Sequence, residues 1–189
     1  MTDEQFLADL NDFFGRAALA TYAATGARTT AQRPGFEELE YRNGAWLYRD
    51  SYAGFLRSRG QEVIWHHGKP VWTQSYGGGM EGHFQDDCAF AGETFAFLKA
   101  ALASGEKCKA FQPRGPMRLT ERDWEYLSYT YGDIREFSGA EEIRFKGAQV
   151  FTHQYFGGLI VNATDGLQVL DFEETPEELD LDLLVAAVE

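Results

Sequence analysis

Cysteine is scarce in this chain, with Cys88 and Cys108 the two among 189 residues. They form no C-x-x-C pair and no zinc-ligand spacing, and a disulfide-stapled secreted scaffold would carry more of them. Two free thiols in a reducing cytoplasm are expected. Basic residues are also few: 17 Lys and Arg stand against 30 Asp and Glu, a formal net charge of −13. Phosphate contacts need a basic surface, so the balance argues against nucleic-acid binding by this chain alone. It suits a solvated acidic surface, a basic protein partner or a cationic ligand. No window holds the roughly eighteen consecutive apolar residues of a spanning helix. The N-terminus, MTDEQFLADL, is acidic and lacks the basic, apolar pattern of a signal peptide. The expected setting is cytoplasmic, with no membrane partner.

Catalytic signatures are missing too. There is no G-x-S-x-G, no P-loop, no G-x-G-x-x-G after a strand and no H-E-x-x-H. Histidine is limited to four residues. Two of them, His66 and His67, adjoin in GQEVIWHHGKPVW, where consecutive strand residues point to opposite faces and cannot chelate one metal. His83 with Asp86 and Asp87 reads as a glycine-rich connection ending in a helix cap. No metal site and no cofactor is expected.

The sequence does contain ample apolar material: 44% hydrophobic residues, with 15 Phe and 9 Tyr. Thr2 and Gln5 have the spacing of a capping box. Phe6, Leu10, Phe13, Phe14 and Ala17 recur at helical spacing, predicting a helix to about Tyr22. Asn43-Gly44 predicts a hairpin with strands near 37–42 and 45–52. His67-Gly68 predicts another, near 60–66 and 69–76. Asp87 is a candidate cap for a second helix bearing Phe90, Phe95, Leu98 and Leu102, ended by Ser104-Gly105. Thr175-Pro176-Glu177-Glu178 predicts a short C-terminal helix.

GQEVIWHHGKPVWTQSYGGGM (60–80) aligns without a gap on GAEEIRFKGAQVFTHQYFGGL (139–159). Identities fall at Gly60/Gly139, Glu62/Glu141, Ile64/Ile143, Gly68/Gly147, Val71/Val150, Thr73/Thr152, Tyr76/Tyr155 and a Gly-Gly pair. The expected fold class is α+β, in two pseudo-repeats. Each is a helix followed by a curved antiparallel β-meander, and a short C-terminal helix follows them. Residues 1–161 would form one domain of two halves, about 1–80 and 81–161, and 162–189 an acidic extension. His66-His67 is replaced by Phe145-Lys146 in the second copy, which leaves the shared turn glycine as the essential feature.

Strand alternation places Glu62, Ile64 and His66 with Val71, Thr73 and Ser75, and Glu141, Ile143 and Phe145 with Val150 and Thr152. Trp65, Trp72 and Tyr76 fall on the other face. A carboxylate on a core face costs several kcal/mol unless it is paired or protonated, and Thr73 and Thr152 are candidate donors to the two glutamates. The Asn43-Gly44 hairpin collects Leu39, Tyr41, Trp46, Tyr48, Asp50 and Tyr52 on one face. Candidate ligand-binding residues are therefore Tyr41, Trp46, Tyr48, Asp50, Tyr52, Glu62, Thr73 and Glu141, an aromatic wall with polar anchors for a small organic ligand. The alternative is that these carboxylates merely accept local hydrogen bonds. No catalytic residue is assigned. The reading favours a non-enzymatic, sensor-like binding module for a small molecule or a basic protein. Its rival is a hydrolase using Asp50 and Glu62 as acid and base.

ATYAATG, RPGFEELEY, WLYRDSYAG, GQEVIWHHGKPVWTQSYGG, FLKAAL and FKGAQVFTHQYFGGLI occur here in the order of a bacterial and archaeal family, domain of unknown function (DUF) 5680. The chain resembles it from about Phe6 to Val161. The resemblance implies an α+β domain. Some relatives carry it behind a helix-turn-helix module, as in XRE-type regulators, which implies sensing or binding. Because the likeness begins near residue 1, no DNA-reading module is expected. The family brings no established activity, and so implies no catalytic residues.

Overall fold

The computed structural model describes residues 3–22, 28–104 and 110–160. Thr2, Cys108, Gly105 and the predicted C-terminal helix lie outside the described residues. Helix α1 spans Asp3–Tyr22, strands β1 to β4 span Glu37–Asn43, Trp46–Ala53, Arg57–His66 and Lys69–Met80, and α2 spans Cys88–Ala103. Strands β5 to β8 follow at Arg118–Glu121, Trp124–Asp133, Glu136–Phe145 and Ala148–Leu159. All eight join one antiparallel sheet in the order β1-β2-β3-β4-β8-β7-β6-β5. The protein is a mixed α+β fold, mostly strand.

Helix α1 forms because its apolar positions share a stripe. Phe6, Leu7, Leu10, Phe13, Phe14 and Ala17 are all buried, and each Phe or Leu removed from water contributes about 1.5–3 kcal/mol. Gln5 donates its amide to Asp9 Oδ1 at 2.8 Å. Phe13 and Phe14 pack on Trp46 and Trp72. Helix α2 begins where Asp87 accepts from the Phe90 amide at 2.9 Å, as its position predicts, and ends at Ser104. Phe90 and Phe95 lie against Trp124, Phe145 and Phe151. Both helices therefore cover the same sheet face. His66 is buried there between Phe6 and Trp46, while His67 takes φ +49 in the turn beside Gly68.

Two local features depart from the sequence reading. The first hairpin turns one residue later, at Gly44-Ala45, because Asn43 pairs with Trp46. Of that pair only Gly44 has positive φ, which is the turn with glycine in first position. The face shared by Leu39, Tyr41, Tyr48 and Asp50 is unaffected. The second departure reverses a face. The β3–β4 register shifts between Ile64 and Trp65, so that Ile64 faces Trp72 and Trp65 faces Pro70. Val71 is the extra residue of a bulge, and it is buried along with Trp72. Beyond the bulge Gln74 stands opposite Glu62, and Tyr76 opposite Gly60. Trp72 and Tyr76 thus share the face of Glu62, whereas Thr73 and Ser75 do not. The same shift occurs between Ile143 and Arg144 and puts His153, not Thr152, opposite Glu141.

Candidate functional site

The bulges bring two rows of polar side chains under the helices. In the first, Asp50, Glu62 and Gln74 lie side by side across β2, β3 and β4. In the second, Ser128, Glu141 and His153 occupy β6, β7 and β8. The rows meet where β4 pairs with β8, with Tyr76 directly across from Tyr155. Each tyrosine ring lies over a glycine of the adjoining strand: a Cβ on Gly60 would come within 2.3 Å of Tyr76, and one on Gly139 within 2.5 Å of the Tyr155 ring. The rings thereby reach one strand further. Tyr76 donates to Asp50 Oδ1 at 2.9 Å, and the Tyr155 hydroxyl meets Ser128 Oγ at 3.0 Å.

Glu62 and Glu141 share one cation. Arg114 enters from the segment between α2 and β5, where Pro113 and Pro116 bracket it, and is 2% exposed. Its Nε and Nη2 donate to Glu141 Oε1 at 3.0 and 2.8 Å, and its Nη1 lies 3.4 Å from Glu62 Oε1. Its guanidinium also stacks 4.6 Å above the Tyr76 ring. Gln74 donates to Glu62 Oε1 at 3.3 Å. The Tyr126 hydroxyl donates to Glu141 Oε2 at 2.6 Å and accepts from the Gly115 amide at 2.8 Å. The two inward glutamates are thus the jaws of a buried clamp on one arginine.

The cluster sorts its protonation states. Burial would raise Glu141, but Arg114 and the His153 hydrogen bond outweigh it and hold the carboxyl at about 2. Burial and the neighbouring Glu62 push Asp50 well above the ordinary carboxylate range, against the hydrogen bond from Tyr76. Burial lowers His153, with Glu141 pulling the other way. The ionised Glu141 accepts the Nδ1 proton of His153 at 3.0 Å, which fixes the tautomer and leaves Nε2 as an acceptor. Ser58 Oγ lies 3.2 Å from that nitrogen.

These groups face a cavity of about 680 Å³ between the sheet and α2. Its polar wall carries Asp50, Ser58, Tyr76, Arg114 and His153, and its apolar wall Phe55, Phe95, Leu98 and Leu102. Arg28, Glu37, Phe55 and Lys99 line it and are exposed, so its mouth lies beside the β2–β3 turn.

Of the residues singled out from the sequence, Asp50 and Tyr52 line this cavity. Glu62 and Glu141 lie beneath it, 0% and 1% exposed. Tyr41 and Trp46 instead pack on Phe13 of α1, and Tyr48 is fully buried. Thr73 requires correction: its hydroxyl donates to the Glu62 backbone oxygen at 3.0 Å rather than to the carboxylate, because the Val71 bulge turns it to the outer face. Thr152, the other expected donor, bonds Glu81. Arg114, Ser58 and His153 were not anticipated as site residues.

The family comparison covers residues 50–160, more than half of the chain. The chain belongs to the DUF5680 family, a domain of unknown function. The DUF5680 match is shorter than the resemblance read from Phe6 onward. It starts at Asp50, so it includes both polar rows and Arg114 but omits α1 and β1. No curated protein and no solved structure matches the chain.

Asp50 supplies a test of the electrostatics. It keeps its proton in the fold at pH values where the unfolded chain has released it, so it lowers stability as pH rises above the unfolded value of about 4. Asp50→Asn mimics the neutral form. In denaturant unfolding it should match the native protein at pH ~4 and exceed it at pH ~8. An Asn variant less stable than the native protein at both pH values would show that the carboxylate form is the one the fold uses.

Proposed function

We propose that this protein is a binding domain for a small, amphipathic organic molecule. The observation that carries the reading is the cavity, whose volume of about 680 Å³ falls in the roughly 300–1,000 Å³ range of ligand sites. Its two walls differ in chemistry. Phe55, Phe95, Leu98 and Leu102 suit an aromatic or aliphatic portion, and Asp50, Ser58 and Tyr76 offer hydrogen bonds to a polar head. The Arg114 clamp beneath is fully built before any ligand arrives, which lowers the ordering cost of binding.

The sensor-like role and the cytoplasmic setting rest on the sequence reading, and a basic protein partner on the acidic charge. The two-fold sequence repeat agrees with the matched rows Asp50–Glu62–Gln74 and Ser128–Glu141–His153. We infer two copies of a helix-plus-meander unit, of which one kept an acid at the cavity and the other a histidine. A hydrolase using Asp50 and Glu62 as acid and base is the weaker reading, because Glu62 is fully buried beneath the cavity and held by Arg114.

A thermal-shift screen against a library of small carboxylates, amides and aromatic metabolites tests the proposal. Compounds that raise the midpoint of the native protein should lose that effect in Leu98→Trp, which fills the space at the apolar wall. Hits that act equally on both proteins would place binding elsewhere.

A further inference from the structure

One arrangement on the cavity wall exceeds what binding requires. Ser58 Oγ, His153 Nε2, His153 Nδ1 and Glu141 Oε1 form a continuous relay with steps of 3.2 and 3.0 Å. The serine and histidine come from strands that are not neighbours, β3 and β8, with β4 between them. They meet because the residue between them in the cross-strand row is Gly78, paired with Ser58 on one side and His153 on the other. A Cβ on Gly78 would come within 2.9 Å of the imidazole and 2.0 Å of the Thr152 carbonyl oxygen. The imidazole therefore crosses β4 over a bare backbone. Glu141 is fixed from its other side by Arg114 and Tyr126, so the orienting carboxylate is rigid. At the matching place in the first row stands Gln74, which cannot act as a base.

We propose that Ser58 is a nucleophile, His153 its general base and Glu141 the residue that positions the histidine, together cleaving a carboxylic ester bound in the cavity. The proposal rests on the cavity being a ligand site. Ser58 Oγ adds to the ester carbonyl carbon as His153 Nε2 takes the hydroxyl proton. The bond to the leaving oxygen breaks, and that oxygen departs as an alcohol with the proton from His153. Water then adds to the acyl-Ser58 carbonyl while His153 takes its proton. The acid leaves, and the proton returns to Ser58 Oγ. The Asp50 carboxyl, neutral in this setting, lies on the same wall and is the donor for the developing oxyanion. The apolar wall at Phe55, Phe95 and Leu98 selects an ester with an aromatic or aliphatic acyl group.

The charged and titratable groups around His153 are Glu141 of β7, Arg114, Arg59 of β3 and the Tyr76 ring of β4. Burial keeps the imidazole neutral to lower pH than an ordinary histidine, so the base form is present at neutral pH.

Diisopropyl fluorophosphate tests the triad directly, since phosphorylation of Ser58 releases fluoride and adds a stable mass. One adduct per chain is expected, mapped to Ser58 and absent from Ser58→Ala. The labelling rate of the native protein should rise through the titration of His153, below the usual histidine range, and then level off. It should fall about 100-fold or more in His153→Gln. The rate profile of the native protein holds the test even if that variant does not fold. No adduct on Ser58, while a reference serine hydrolase in the same tube is labelled, overturns the triad. So does a rate that rises only with hydroxide. If small aromatic carboxylates still bind the cavity by thermal shift in that case, the binding reading stands alone, and if they do not, both fail.

Discussion

Arg114→Met is expected to destabilise the protein by about 3–5 kcal/mol, the cost of removing one partner from a buried ion pair. Methionine keeps the bulk of the arginine stem, so the loss comes from the guanidinium, its charge and its hydrogen bonds to the two glutamates. Glu62 and Glu141, 0% and 1% exposed, would then face each other with no cation between them. The effect should also reverse the acid response. In the native protein Glu141 has a folded value of about 2, below the unfolded value of about 4.3. Its contribution is therefore present above the unfolded value and lost as pH falls toward the folded one. Without Arg114 the carboxyls gain by taking up protons, so the deficit of the variant should shrink as pH falls through about 5. Denaturant unfolding at several pH values reads both effects. A loss below about 1 kcal/mol at neutral pH would mean that the clamp behaves like a surface pair.

Gly78→Ala should cost about 2–4 kcal/mol, much more than the usual glycine-to-alanine change in a strand. The reason is space and backbone conformation together: φ is +155 and the Thr152 carbonyl oxygen would sit 2.0 Å from the new methyl. The His153 imidazole must also move, which separates it from Ser58. The variant should therefore combine a lower unfolding midpoint with a shifted titration of the His153 ring by NMR. Gly82→Ala is a matched control, since nothing lies within 4 Å of a Cβ there. Equal effects at the two positions would contradict the crossing of the imidazole over β4.

The parts of this fold carried by local chemistry were legible in the sequence. The α1 stripe, the Asp87 cap and the His67-Gly68 turn each follow from a few adjacent residues. Glu62 and Glu141 were correctly seen as inward, because the alternation along β3 and β7 is unbroken. The register of β4 and β8 was not, because a bulge is a non-local event that reverses every side chain beyond it. A signal was nevertheless present: Val71-Trp72 and Val150-Phe151 each put two apolar residues side by side in a strand that otherwise alternates. Reading them as bulges would have turned Tyr76 and His153 inward and Thr73 outward. Arg114 offered less, since its position depends on where the segment between α2 and β5 crosses the sheet, and QPRGP shows only that the backbone around it is stiff. Ser58 was hidden for a different reason: its partner His153 lies two strands and 95 residues away.

A crystal structure of the protein with its strongest thermal-shift hit decides whether the space between α2 and the sheet is a ligand site. The ligand should lie with its apolar portion against Phe95 and Leu98 and its polar head within hydrogen-bond reach of Asp50 or Ser58. A hit bound on the outer sheet face beside the exposed Tyr131 and Phe156, which flank Ser138, with the cavity holding only water, would overturn the ligand-site reading.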